Sequence, residues 1–354
     1  MHAFAICMDL LAIFHFWARP DTFLSVSLNP LTDRPDPSRH NCSHMALDAT
    51  LLRPHVVPIF LILCGFMTFV SQTHLPKRLA LLTSPIHEAC NELAPKSEYR
   101  PLYRAIVCGT QMPNDELKAS LTRTGLIHLM IVSGSHLVFL EAALWWMLRK
   151  RSRVTSALVI SVLVVFALAN RLQAPVLRAL LALLLSGFAG MRGLHWRRVQ
   201  VITMAGFATL PFIDLSRSSL SLLLSWTASL ALTGFPRETE ERETALSVHT
   251  RMYAFLAPVL LPLRVPTPMS VAFNWVFGPL IGAVFFPLSL LTFAIPDFAC
   301  LMDRCWDLLT TSVVLAGRFT TEGIMFRGVG EVWGWIYLAG LTSWLLWREL
   351  GREQ

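Results

Sequence analysis

The sequence predicts an all-α polytopic membrane protein with about eight to ten transmembrane or re-entrant helices. Three observations carry that expectation. The chain of 354 residues is 54% hydrophobic, with a mean hydropathy of +0.53. Only 15% of it is charged, against about a quarter in a soluble domain. Its apolar residues are also gathered into long runs, each near the ~20 residues that a helix needs to cross hydrocarbon. Together these exclude an ordinary soluble globular domain.

Taken in order, the chain divides into three parts. Residues 1–70 hold N-terminal spans and a proline-rich loop, residues 71–124 a short extracytoplasmic polar segment, and residues 125–354 a helical membrane domain. Residues 1–18 are apolar but contain Asp9 and His15 and follow no charged region, so they make a weak first span or interfacial segment rather than a signal peptide. Pro20, Pro30, Pro35, Pro37 and Pro54 punctuate the loop that follows, and 54–70 is a clean span. Within 71–124, residues 80–94 and 101–108 predict short amphipathic helices. Asn114 predicts the N-cap of a third, over 115–123, with acids in its first turn.

Spans are then expected at about 154–170, 175–190, 199–214 and 219–235. Three loops hold Arg149, Lys150, Arg151 and Arg153, then Arg192, Arg197 and Arg198, then Arg237, Arg242 and Arg251. The intervening connections contribute only Arg171 and Arg217. The alternation places the three basic loops in the cytoplasm and residues 71–124 on the opposite side. Further on, Pro258 and Pro262 interrupt 253–263 and suit an interfacial or re-entrant segment. Gly278-Pro279, Gly282 and Pro287 break the apolar run 274–295, as is tolerated where a helix packs in protein or lines a cavity. Spans near 299–317 and 331–347 complete the expected set.

The net charge is +7, and Lys occurs only at 77, 96, 118 and 150 among 30 cations. The arginine excess suits phosphate recognition, and equally fits codon usage with membrane orientation. The cysteines at 7, 42, 64, 90, 108, 300 and 305 show no metal-ligand spacing. No metal or cofactor is expected. Cys90 and Cys108 both fall in the polar segment, where spacing alone leaves their pairing undecided.

The chemistry gathers in Gly125-Leu126-Ile127-His128-Leu129-Met130-Ile131-Val132-Ser133-Gly134-Ser135-His136, which opens an apolar run to about Leu148. Polar groups in such a run must find internal partners and mark a seam or pathway more often than a lipid face. On one helix His128, Val132 and His136 are spaced i, i+4, i+8, so both imidazoles share a face. Gly134 between Ser133 and Ser135 lets another backbone approach closely. Glu141 and Arg178 also lie inside spans. Glu141 calls for a histidine or arginine of another helix as partner, whereas Arg178, four residues into its span, suits snorkelling to the interface. The run Ser133-Gly134-Ser135-His136 lacks the Gly-x-Ser-x-Gly elbow of a serine hydrolase, and no enzyme activity is expected.

Gly125-Leu126-Ile127-His128-Leu129 followed by Ser133-Gly134-Ser135-His136 resembles the signature of the ComEC family of competence proteins. Downstream, Arg178-Ala179 is similar to that family's Arg-Ala pair, Leu224-Ser225-Trp226 to its Leu-Ser-Phe element, and Asn274 with Pro279 to its Asn-Leu-x-x-x-Pro spacing. Upstream, 102–109 and 115–117 are similar to its approach segment. Ser135 stands where the family usually has Leu. An OB-like domain is at best shrunken into 71–124, and nothing resembles the His-x-His-x-Asp-His motif of a metallo-β-lactamase-like domain, so the chain reads as the membrane core alone.

The resemblance implies a channel-like protein of the bacterial inner membrane that passes single-stranded DNA into the cytoplasm during natural transformation. His128, Ser133, Ser135, His136, Arg178, Ser225 and Asn274 would line the DNA path, and Trp145, Trp146 and Trp226 suit interface anchoring at span ends, with stacking surfaces for bases as the alternative. The chain has no Gly-x-x-x-x-Gly-Lys motif. The implied partners are therefore single-stranded DNA, membrane lipid, a cytoplasmic helicase or motor and a periplasmic DNA receptor, with a homo-oligomer open. Two other readings stand beside this one: a small-solute or ion transporter built around a broken helix at 274–295, and a truncated remnant with a structural role.

Overall fold

The computed structural model describes residues 75–112, 116–130, 132–149, 152–233, 245–261, 267–320 and 332–351. The expected spans at 1–18 and 54–70, the N-cap at Asn114, and Arg237 and Arg242 lie outside them. The described residues form helices and no strand. All-α architecture follows from the composition, because only a helix satisfies every backbone group within its own segment in an apolar medium.

The polar segment contributes α1 (Leu75–Leu93), α2 (Arg100–Cys108) and α3 (Glu116–Arg123). α1 begins earlier than its amphipathic pattern predicts, and α2 and α3 fall where expected. Cys90 and Cys108 are joined in a disulfide that ties α1 to the end of α2. Around it, Thr110 donates to Asn91 Oδ1 at 2.7 Å, and Arg104 Nε donates to the Asn91 carbonyl at 3.0 Å.

Next come α4 (Ile127–Met130), α5 (Gly134–Leu148), α6 (Arg153–Ala169), α7 (Ala174–Met191), α8 (Arg198–Thr209) and α9 (Leu215–Thr233). α8 is shorter than the expected span 199–214. Pro211 ends it in a 3-10 turn over Leu210–Phe212. Gly206 lets α9 approach α8 closely, since the Trp226 indole occupies the space that a Cβ there would fill. The α6–α7 turn clasps the polar segment. Asn170 Nδ2 donates to the Val107 carbonyl at 3.1 Å, Gln173 Nε2 to the Gly109 carbonyl at 2.6 Å, and His87 Nδ1 lies 2.8 Å from the Ala169 carbonyl. Gly109 adopts φ 70°, and a Cβ there would fall 2.6 Å from Asn170 Oδ1, so the clasp requires glycine.

The last third departs from expectation. The segment expected to be interrupted at Pro258 is continuous, because α10 runs through Ala245–Leu260 with Pro258 inside it, and Pro262 lies outside the described residues. The run 274–295 is not broken either. α11 extends over Met269–Ala294 as one 26-residue helix, with a π turn at Leu280–Phe285 between Pro279 and Pro287. The wider turn absorbs the missing proline donors without a break. It also adds a residue to the turn, so that consecutive Phe285 and Phe286 are both buried. Phe285 packs on Trp306 at 4.9 Å, and Phe286 on Phe166 at 5.9 Å.

α12 (Ala299–Arg318) and α13 (Val332–Gly351) close the order. The expected span at 299–317 is helical, but it serves the polar segment. Asp303 accepts from Tyr103 at 2.8 Å, one turn later Asp307 accepts from Tyr99 at 3.1 Å, and a Cβ on Gly317 would meet Ser120 of α3 at 2.9 Å. Two carboxylates one turn apart share a helix face, and that face lies on α2. Two helices, Ala174–Met191 and Met269–Ala294, are long and apolar enough to cross a membrane, whereas Gly134–Leu148, Arg153–Ala169 and Ser218–Thr233 are apolar but shorter. Among the described residues this is fewer than the eight to ten expected.

Candidate functional site

The site forms where α4 gives way to α5. The single helix expected from Gly125 onward does not exist, because α4 ends at Met130 and α5 begins at Gly134. Ser133 between them is extended, with φ −119° and ψ 167°. Serine competes for backbone groups and favours the N-cap over the helix interior. Here the Ser133 N–H donates to His136 Nδ1 at 2.9 Å, and its hydroxyl lies 2.6 Å from that of Ser135. His128 and His136 therefore do not share a helical face, which corrects the i, i+8 reading.

What the chain break creates is a seam. Gly134 is buried at the start of α5 and sits against α7: a Cβ there would be 3.0 Å from both the Ala179 Cβ and the Pro175 carbonyl, and 3.6 Å from Arg178 Nη2. Arg178 is 5% exposed, so it does not snorkel to a surface. Its Nε donates to Ser225 Oγ on α9 at 3.0 Å, and it forms no ion pair among the described residues. His136 is buried near the start of α5 and packs at a tilt against Phe286 of α11 at 4.6 Å. The serine–histidine start of α5 thus adjoins the Arg178–Ser225 contact of α7 and α9 at one junction, with α11 walling His136.

Of the seven expected path residues, Ser133, Ser135 and His136 bond with one another and Arg178 bonds with Ser225, and Gly134 brings the two groups side by side. His128 stands apart on α4. Its side chain is exposed, and it lies near His136 and His249. Asn274 does not join the junction, because its Nδ2 donates to the Ser270 carbonyl one turn earlier in α11 at 2.8 Å.

Trp226 is no stacking platform for a base. It is 2% exposed and packs edge-on against Phe207 at 5.1 Å, whereas Trp146 is exposed. Glu141 is met by its own helix, where Trp145 Nε1 lies 3.4 Å from Oε1.

Sequence reasoning missed three contributors. His249 of α10 comes within 3.7 Å of where a Cβ on Gly278 would sit, and Leu129 within 4.0 Å of the same point. Phe286 walls His136. Phe139 lies so close to Gly282 that a Cβ there would be 2.8 Å from its ring. Gly278 and Gly282 were the available signal, spaced i, i+4 on one face, where small residues admit neighbours.

The arrangement is a buried arginine bonded to one hydroxyl, beside a serine–histidine cluster at the start of α5. No group of three or more His, Cys, Asp or Glu able to hold a metal occurs among the described residues.

No curated protein matches this chain, and no solved structure does. A family model described as Competence protein matches residues 107–350, which take in the seam, the Arg178–Ser225 contact and α11. With well over half its length matched, and the sequence landmarks of α5, α7 and α9 in contact with one another, the chain belongs to the Competence protein family.

Proposed function

We propose that this protein acts as a multi-pass inner-membrane channel, and that it passes single-stranded DNA into the cytoplasm during natural transformation. The observation that carries this reading is Arg178. A buried charge without a partner of opposite sign costs several kcal/mol, so a cation kept in that state suits a site whose counter-charge arrives with the cargo. Each nucleotide brings a phosphate. The guanidinium fork recognises phosphate in two hydrogen bonds, and among the described residues Nε alone is engaged. Ser133, Ser135 and His136 add polar groups that can exchange partners as a strand moves, and the exposed His128 extends the lining.

Orientation follows from two independent lines. The basic loops mark the cytoplasmic side, and the Cys90–Cys108 disulfide belongs to an oxidising compartment. Both support a position of α1 and α2 outside the inner membrane, the face from which the strand would enter. The energy comes from a cytoplasmic helicase or motor and the substrate from a periplasmic DNA receptor, since the chain itself has no nucleotide-binding loop. The transporter alternative drew on a broken helix at 274–295. That segment is one helix with a π turn, and no other observation favours a small solute.

A clean deletion, scored for transformants and for fluorescent DNA held in the periplasm, tests the reading. Loss of transformants with DNA still accumulating outside the inner membrane is expected. Normal transformation overturns it. His128→Ala together with His136→Ala, at equal protein level, tests the lining separately, and an unchanged transformation frequency would remove those two residues from the path.

A further inference from the structure

α1 has three distinct long faces. Thr83 and His87, one turn apart, are buried against the protein, where His87 meets the Ala169 carbonyl. Lys77, Ser84, Glu88 and Glu92 fall on a second stripe, of which Lys77, Glu88 and Glu92 are exposed. The third stripe holds Leu75, Leu79, Leu82, Ile86 and Leu93, spaced i, i+4, i+7, i+11 and i+18. It is not the protein-facing one: Leu82 is 72% and Leu93 66% exposed, and Ile86 is exposed as well. Leu81 alone among the α1 leucines lies on the acidic stripe. A helix that buries threonine and histidine while presenting leucine outward is inverted for a soluble surface.

Its place in the fold says what covers that stripe. α1 packs on α6 and on the 3-10 turn Leu210–Phe212 that follows α8. It touches α6 at its C-terminal end, through Ala169. α7 separates the two in sequence, so the end of α6 and the end of α8 emerge on the same side of the domain, and α1 bridges them. On α6 itself Val154, Leu158 and Val165 form an exposed apolar stripe, and Val165 stands one turn from the Ala169 contact. Phe212 is exposed at the other contact. The leucine stripe of α1 therefore continues an apolar belt. At its N-terminal end the exposed Lys77 and Arg78 offer cations at headgroup height.

We propose that α1 is an interfacial helix lying in the headgroup–acyl boundary of the outer leaflet, with Leu82, Ile86 and Leu93 in the acyl region, Lys77 and Arg78 on anionic phosphates, and Glu88 and Glu92 in water. It rests on the membrane reading above. Through the disulfide to α2 and the clasp on Gly109, this anchors the extracytoplasmic segment at the level where a strand would enter.

Site-directed spin labelling of the full chain in phosphatidylethanolamine–phosphatidylglycerol vesicles tests it, with Cys7, Cys42, Cys64, Cys300 and Cys305 changed to serine and the Cys90–Cys108 bridge kept. Labels go on Leu82→Cys, Leu93→Cys, Glu88→Cys and Glu92→Cys, with Leu158→Cys on α6 as the membrane control. The ratio of oxygen to water-soluble nickel accessibility is expected to be several-fold higher at 82 and 93 than at 88 and 92, and high at 158. Equal ratios at all four α1 sites, with 158 still high, overturn the interfacial helix and leave the membrane reading standing. Low accessibility to both agents at 82 and 93, with spin–spin broadening, assigns the stripe to a second copy and overturns it too. A low ratio at 158 overturns both readings together.

Discussion

The molecule handles buried polarity in two opposite ways. In the cap made of α1, α2 and α12, Tyr103 meets Asp303, Tyr99 meets Asp307, Thr110 meets Asn91 and Gln173 meets the Gly109 carbonyl. A covalent bridge holds the same region. In the seam between α5, α7 and α9, Arg178 engages a single neutral hydroxyl among the described residues. Hydrogen bonds made throughout a network rigidify it, whereas a buried group with unspent donors is costly. The cap is arranged to stay fixed. Under the proposed function, the seam keeps bonding capacity for a strand that passes.

Substitutions separate the two. Arg178→Met has the largest expected effect: transformants fall to the level of the deletion, while the thermal midpoint of the purified protein is unchanged or raised, because an apolar isostere relieves the buried charge. A midpoint that drops sharply would make Arg178 a structural residue like those of the cap and erase the contrast. Cys90→Ser with Cys108→Ser comes next, at about 2–4 kcal/mol of stability, read as a lower midpoint that reductant no longer changes. Reductant acting equally on the double variant and the parent would refute a role for the bridge.

Gly134→Val tests how tightly the seam is closed. The built Cβ already lies 3.0 Å from Ala179 Cβ and the Pro175 carbonyl, so branching there costs about 1–3 kcal/mol of overpacking and lowers transformation. Wild-type behaviour in both assays would mean that α5 and α7 do not meet at this glycine.

Tyr103→Phe is the mildest. It removes one hydrogen bond, about 1 kcal/mol, and leaves transformation intact. Burial first, and then the Asp303 carboxylate, hold the Tyr103 phenol above its ordinary value of 10.0. The folded state therefore keeps a proton that the unfolded chain releases. Its stabilisation is fully present below the unfolded value and is lost as pH rises through the folded one. The alkaline fall in thermal midpoint above about pH 10 should be shallower in Tyr103→Phe, and an identical alkaline limb would exclude Tyr103 as its source.

How much was legible in advance depends on the range of the interactions involved. Helix after helix falls near its expected place, because an apolar run and a capping residue act within a few residues of themselves. The misreadings share one cause. Ser133 was read by spacing as part of a helix, but its capping bond to His136 ends one and starts another. Pro279 and Pro287 predict a break by local rules, yet packing of Phe285 and Phe286 against Trp306, Phe166 and His136 sustains a π turn instead. Asp303 and Asp307 sat in a run expected to cross the membrane, and tyrosines about 200 residues away in sequence claimed them.

The sequence by itself determined that this chain is helical and largely apolar, and it carried the landmarks of the family. Backbone satisfaction and hydrophobic periodicity are local properties of a segment. Only the tertiary structure decided that Arg178 reaches Ser225 while Asn274 turns back on its own helix, that Trp226 is consumed by Gly206 and Phe207, and that Cys90 finds Cys108. Those outcomes depend on which helix faces are pressed together, and that is set by packing among all the helices rather than by any one of them.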